Sequence, residues 1–234
     1  MGHKVHPKIH RMNILFPWAS RWVSKGNYAK YVEQDTKLRA YVMDKFKDAH
    51  VDSIFVERNA KNTTVTIFAA KPGIIIGRGG QGLEDLKKAI ERKFLNMAQK
   101  VKLNIQELRA PSLSAEVVAQ SICKDLENRI PFRRVMKQNI ERTMKAGAQG
   151  IKIVMAGRLN GVEIARREKL SSGKVPLITF RSNVDYIQRV ARTIYGAIGV
   201  KVWIYLGESF VRVDKLSEAR ETTQNKKEGT PNAR

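Results

Sequence analysis

Ile74-Ile-Ile-Gly77-Arg78-Gly79-Gly80-Gln81-Gly82 places a basic glycine loop directly before an amphipathic helical pattern. Glycines let a backbone approach a phosphodiester closely, and the free amides of the following helix point toward it. Arg78 adds a positive charge. The stretch therefore predicts a phosphate ligand, and its surroundings decide which one.

Two motifs fit these letters. Gly77, Gly79 and Gly82 satisfy the G-x-G-x-x-G of dinucleotide-binding folds, and Gly77-Arg78-Gly79-Gly80 satisfies the G-x-x-G of KH RNA-binding modules. A dinucleotide loop follows its strand directly, but here Lys71-Pro72-Gly73 separates the strand pattern Val65 to Ala70 from Ile74 to Ile76. Pro72 can open a short helix and Gly77 can end it. The loop then joins two helices, which favours the KH reading over a dinucleotide site or a bare turn.

Working outward, Asp35 to Ala49 sets Leu38, Val42, Phe46 and Ala49 on one helical face, with Asp35 or Thr36 as candidate caps. Strands are predicted over Asp52 to Arg58 and Thr63 to Ala70, joined by the hairpin-like Asn59-Ala-Lys-Asn62. After the glycines, Leu83, Leu86, Ile90, Phe94 and Met97 form an apolar stripe, and Val101, Leu103 and Ile105 alternate as a third strand. Helix, strand, strand, short helix, loop, helix, strand is the order of a type II KH domain, here over residues 31–110.

Charge agrees with a polyanionic partner. There are 44 Lys and Arg against 22 Asp and Glu, a net charge of +22 and a pI of about 10.3. Solvated basic faces and membrane-surface binding are the competing explanations, but no run of about 20 apolar residues exists to span a bilayer. Ile14-Leu15-Phe16 is cut short by Pro17, too brief for a secretory segment, so a soluble, cytoplasmic protein is expected.

The lone Cys123 forbids an intrachain disulfide and sits in a helical run among Val118, Ile122 and Leu126, as a small core residue would. His3, His6 and His10 are spaced as a metal could tolerate, yet no cysteine or carboxylate joins them before Glu33, so neither metal nor cofactor is expected. Residues 1–30 instead carry Lys4, Lys8, Arg11, Arg21, Lys25 and Lys30 without one acidic side chain, interleaved with Trp18 and Trp22. Such an arm can follow RNA, with Lys4, His6, Lys8 and Arg11 on phosphates and the indoles on bases or in a protein crevice. A disordered tail or an organellar transit peptide is the alternative.

A boundary near Arg109-Ala-Pro111 opens a second unit over residues 111–208. Ala115 to Ile130 reads as a helix, and Phe132 to Ala146 as another whose face carries Arg133, Arg134, Lys137, Arg142 and Lys145 against Glu141. Either a nucleic-acid strand or solvent could take that face. Strands are predicted over Ile151 to Ala156, Val162 to Leu170, Leu177 to Arg181 and Val200 to Tyr205, with a helix over Val184 to Tyr195. Residues 209–234 read as a flexible polar tail, giving an α+β protein with a basic extension, a KH domain, a second α+β domain and that tail.

Six ordered stretches carry a resemblance: Met1-Gly-His-Lys-Val-His-Pro7, Ile76-Gly-Arg-Gly-Gly80, Pro131-Phe-Arg-Arg-Val-Met-Lys137, Gly157-Arg-Leu-Asn-Gly-Val-Glu-Ile-Ala-Arg166, Val175-Pro-Leu177 and Tyr195-Gly-Ala-Ile-Gly-Val-Lys-Val-Trp-Ile204. Over residues 1–208 the chain resembles the bacterial family of small-subunit ribosomal protein number three. The resemblance implies a non-enzymatic protein of the ribosomal head that binds rRNA, lies beside proteins ten and fourteen, and faces incoming mRNA through Arg133, Arg134 and Lys137. The family carries another basic residue at the position of Gln138, and alanine is usual at Val162.

An enzyme reading finds little support. No G-x-x-x-x-G-K-[ST], H-E-x-x-H or cysteine-rich cluster occurs, and the nearest carboxylate pair, Glu163 and Glu168, is separated by Arg166 and Arg167. A free regulatory RNA-binding protein is the main alternative to a ribosomal component.

Overall fold

The computed structural model describes residues 4–59, 62–95 and 100–210. Its first half runs α1 (Pro7–His10), β1 (Ser20–Arg21), α2 (Tyr28–Lys45), β2 (Val51–Arg58), β3 (Asn62–Ala69), α3 (Pro72–Ile76), α4 (Gln81–Lys93) and β4 (Lys100–Glu107). The sheet order is β1-β2-β3-β4, with β2 antiparallel to β3 and the outer pairs parallel. Alternation explains the packing: Val65, Ile67 and Ala69 of β3 are fully buried on the face covered by Leu38 and Val42 of α2 and by Leu86 and Ile90 of α4. Phe55 and Phe68 fall on the other face, where their rings meet edge-on 5.7 Å apart.

The second half runs α5 (Ala115–Glu127), α6 (Phe132–Lys145), β5 (Gly150–Gly157), β6 (Arg166–Gly173), β7 (Ser182–Thr193) and β8 (Gly196–Glu208). Its sheet, β6-β5-β8-β7, is antiparallel throughout. Ile151, Ile153 and Met155 of β5 and Val200, Val202 and Ile204 of β8 form one core with Ile122 of α5 and Met136 of α6. Ser114 caps α5 by accepting from the Val117 amide. The halves are tied by Gln120, whose Nε2 donates to the Val51 carbonyl (2.9 Å), and by the Lys124–Asp48 pair (3.0 Å).

Four expectations are corrected. Val184 to Tyr195 is not a helix but most of β7, paired with β8 from Val184 opposite Tyr205 to Thr193 opposite Gly196. Ile187 and Ala191, four apart, share a face in either conformation, so spacing alone does not separate them. Leu177 to Arg181 is not a strand, because its carbonyls are used elsewhere, as described below. The strand expected from Val162 begins only at Arg166, after the turn through Asn160, whose φ is 58°. Asp35 and Thr36 cap nothing: α2 starts at Tyr28, Thr36 donates back to the Val32 carbonyl, and Asp35 is buried mid-helix. Met97, the centre of the Asn59–Asn62 connection, His3 and nearly all of the polar tail lie outside the described residues.

Candidate nucleic-acid interface

The glycine loop is shaped by two helix ends. Pro72 opens α3, and Gly77 stops it with φ 71°. Gly79 and Gly80 follow at φ 60° and 81°, a left-handed course that glycine takes without a Cβ clash. Gly82 has a separate reason to be glycine: a Cβ there would lie 2.8 Å from the Ile75 carbonyl, so α4 could not sit so close to α3. The loop is exposed at Gly77, Arg78 and Gly79, and no side chain caps α4. Arg78 thus stands exposed at the start of α4, flanked by the exposed Ile74 and Ile76, while the first amide of α4, that of Gln81, donates to the Arg78 carbonyl.

On α6 the helical period sorts the residues sharply. Phe132, Val135, Met136, Asn139 and Thr143 are buried, while Arg133, Arg134, Lys137, Gln138, Arg142 and Lys145 are exposed. Arg133 lies 3.6 Å from Glu168 of β6, which also reaches Arg166 at 3.9 Å, and both guanidiniums stand 5.7 Å from the Phe132 ring centre. Arg134 and Lys137 have no such carboxylate among the described residues. Glu168 therefore serves two arginines, and Glu163 is exposed.

The basic arm divides in two. Lys4 and Trp18 are exposed, the latter at 57%. His6 accepts from the Ile9 amide and meets Tyr186 edge-on at 4.7 Å, and burial, then Lys8, lowers its pKa. Burial works against the Lys8 charge, but Asp185, 2.5 Å away, raises its pKa on balance. Arg11 corrects the expectation of a phosphate contact. It is fully buried and donates to the carbonyls of Pro7 (3.0 Å), Pro176 (3.2 Å), Leu177 (3.0 Å) and Thr179 (2.9 Å), so it holds the 176–179 segment in place of a strand partner. Trp22 takes the crevice option: its Nε1 donates to Asp35 (2.9 Å), and its ring packs on Tyr28 and Tyr31. Among the described residues no group of three His, Cys, Asp or Glu could hold a metal, and no helix is long and apolar enough to cross a membrane.

A family model described as KH domain matches residues 37–113, and one described as ribosomal protein S3, C-terminal domain, matches residues 122–204. Small ribosomal subunit protein uS3 of Burkholderia thailandensis is 43% identical over 235 residues, covering 98% of this chain and 87% of that protein. The uS3 proteins of Burkholderia cenocepacia and Burkholderia vietnamiensis match to the same extent. The chain belongs to the uS3 family.

Membership places a KH domain before the S3 C-terminal domain, so the type II order read from periodicity holds, and with it the α+β class. Sequence reasoning missed one feature of this surface. On the sheet face turned away from α5 and α6, Lys152 stands 5.0 Å from the Trp203 ring centre, and burial, then the charges of Lys169, Lys4 and Arg167, lowers its pKa. These cations come from the arm, β5 and β6. Strand alternation could have found them, but only once the register had put β6 beside β5.

Proposed function

We propose that this chain is a structural, non-enzymatic RNA-binding component of the small ribosomal subunit, contacting rRNA through its KH loop and the outer arm residues Lys4 and Trp18. Arg133, Arg134 and Lys137 then face mRNA at the entrance channel of the subunit head. The observation that carries the second part is the sorting of α6, whose buried side is fully used by the core while three cations stand outward within one turn. Charges so placed attract the phosphates of a single strand and favour the opened form of a helix arriving at the channel. Translocation supplies the driving force, so no catalytic group is needed. Neighbouring subunit proteins, ten and fourteen by the resemblance, would complete the setting.

The test is alanine at Arg133, Arg134 and Lys137 together. All three are exposed, so subunit assembly is expected to persist, while elongation slows at a stable mRNA hairpin and not on unstructured messages. Equal rates through the hairpin, with assembly confirmed by co-sedimentation of the chain with the small subunit, would remove mRNA from the proposal. A chain that fails to track the small subunit in extract would favour a free regulator.

A further inference from the structure

The face of the second sheet turned away from α5 and α6 is covered at one end, where Val175 and Leu177 pack on Val154, Val184, Tyr186, Trp203 and Tyr205, and exposed at the other, where it has its own charge pattern. Register puts Lys152, Val154 and Ala156 of β5 opposite Trp203, Lys201 and Gly199 of β8 on one side, and opposite Ser171, Lys169 and Arg167 of β6 on the other. Directly opposed residues point to the same face, so these rows share the side away from α5 and α6. Gln188 and Arg192 of β7 join it opposite Lys201 and Ala197. Over these rows every charged residue is basic. The nearby strand carboxylates lie on the other parity, Glu168 opposite Met155 and Asp185 opposite Ile204.

Elsewhere several cations stand beside carboxylates: Arg58 has Asp35, Arg189 has Glu116, and Arg133 and Arg166 share Glu168. No ion pair among the described residues serves Lys152, Arg167, Lys169 or Lys201. Like charges gathered on neighbouring strands repel, which disfavours the isolated fold and favours a polyanion laid across them. Ala156, Ala197 and Gly199 leave its exposed end without bulk, and Lys169 and Lys201 stand two strands apart, roughly 9–10 Å. Its aromatic residues are no stacking platform, since Trp203 is only 9% exposed beneath Lys152 and is buried in one cluster with Tyr186 and Tyr205.

We infer that this sheet face is a second RNA surface, separate from α6, which grips the phosphodiester backbone of structured ribosomal RNA through Lys152, Arg167, Lys169 and Lys201 without reading bases. The inference rests on the proposed role as an rRNA-binding component. Phosphate contacts of this kind position a protein and carry no sequence information.

The experiment uses the full chain and a small-subunit rRNA transcript, with filter binding between 50 and 200 mM salt. Arg167→Gln, Lys169→Gln and Lys201→Gln combined should flatten the log–log salt slope by about 2 to 3, near one per lost phosphate contact. The charge-retaining set Arg167→Lys, Lys169→Arg, Lys201→Arg should keep the parental slope, with circular dichroism reporting the fold of each. An unchanged slope in the glutamine set, or an equal loss in both sets, overturns the inference and leaves the α6 proposal standing. A parent whose binding ignores salt overturns the RNA-binding reading and this surface with it.

Discussion

Asp35 in the middle of α2 and Arg58 at the end of β2 meet at 2.5 Å with side chains only 2% and 4% exposed, so a helix and a strand are joined by an ion pair sealed from water. Ser20 and Trp22 donate to the same carboxylate at 2.7 and 2.9 Å, and the Arg58 guanidinium lies 4.9 Å from the Tyr31 ring centre. A sequence reader meets Asp35 as a helix cap. The structure makes it the point where β1, α2 and β2 converge.

Removing one member strands the other charge. Asp35→Ala should therefore destabilise the protein by about 3–5 kcal/mol, read as a fall in the urea midpoint. Asp35→Leu combined with Arg58→Met should recover part of the loss, because no uncompensated ion remains. A loss of unfolding free energy well under about 1 kcal/mol for Asp35→Ala would mean the pair adds nothing.

The glycine loop separates two roles by position. A Cβ at Gly79 meets nothing within 4 Å, and aspartate tolerates a left-handed φ better than most residues. Arg78→Asp with Gly79→Asp should keep the circular dichroism spectrum and weaken single-stranded RNA binding. Gly82→Ala should do the reverse, costing about 1–3 kcal/mol by forcing α4 from α3. Unchanged affinity in the double aspartate variant would reduce the loop to a turn.

Arg11 and Lys4 lie seven residues apart in the arm but should respond oppositely. Arg11→Met removes charge-assisted hydrogen bonds worth about 1.5–3 kcal/mol each, and should raise amide exchange across 176–179 while leaving the salt slope of RNA binding as it was. Lys4→Gln should lower that slope with no change in exchange. A slope that drops for Arg11→Met, in a protein whose exchange is unaltered, would return Arg11 to the interface.

Cys123 titrates far from its ordinary range: burial, then Glu127, pushes the thiol up to about 12. The native thiol stays neutral at pH 8, so a thiol reagent should label it only through unfolding, at a rate that follows denaturant. With a reference value of 9.0 in the unfolded chain, the thiol contributes no pH dependence below about pH 9 and makes folding progressively less favourable from there toward 12. Cys123→Ala should remove that alkaline component. Rapid labelling at pH 8 without denaturant would show the thiol to be accessible.

The first half was legible because each element has one period: Leu38, Val42, Leu86 and Ile90 repeat as helices do, and Val65, Ile67 and Ala69 as a strand does, and all are buried. The glycine loop was legible for the same reason, since Pro72 and Gly77 fix both ends of α3. Val184 to Tyr195 was not, because what makes it a strand is pairing with β8, a partner that spacing within the segment cannot reveal. Arg11 and Asp35 failed to declare themselves for a related reason. Their roles depend on groups far along the chain, and a charged residue read alone looks like surface.

The clamp that Arg11 places on Pro176, Leu177 and Thr179 spans 165 to 168 positions of sequence. During synthesis at about 5–20 residues per second, that interval lasts on the order of ten to thirty seconds. Through it the segment around Arg11 is without its anchor, while the first sheet can already close behind it. The arm is thus made well before the segment that fixes it, and only arrival of the 176–179 carbonyls converts Arg11 from a free charge into a buried fastening.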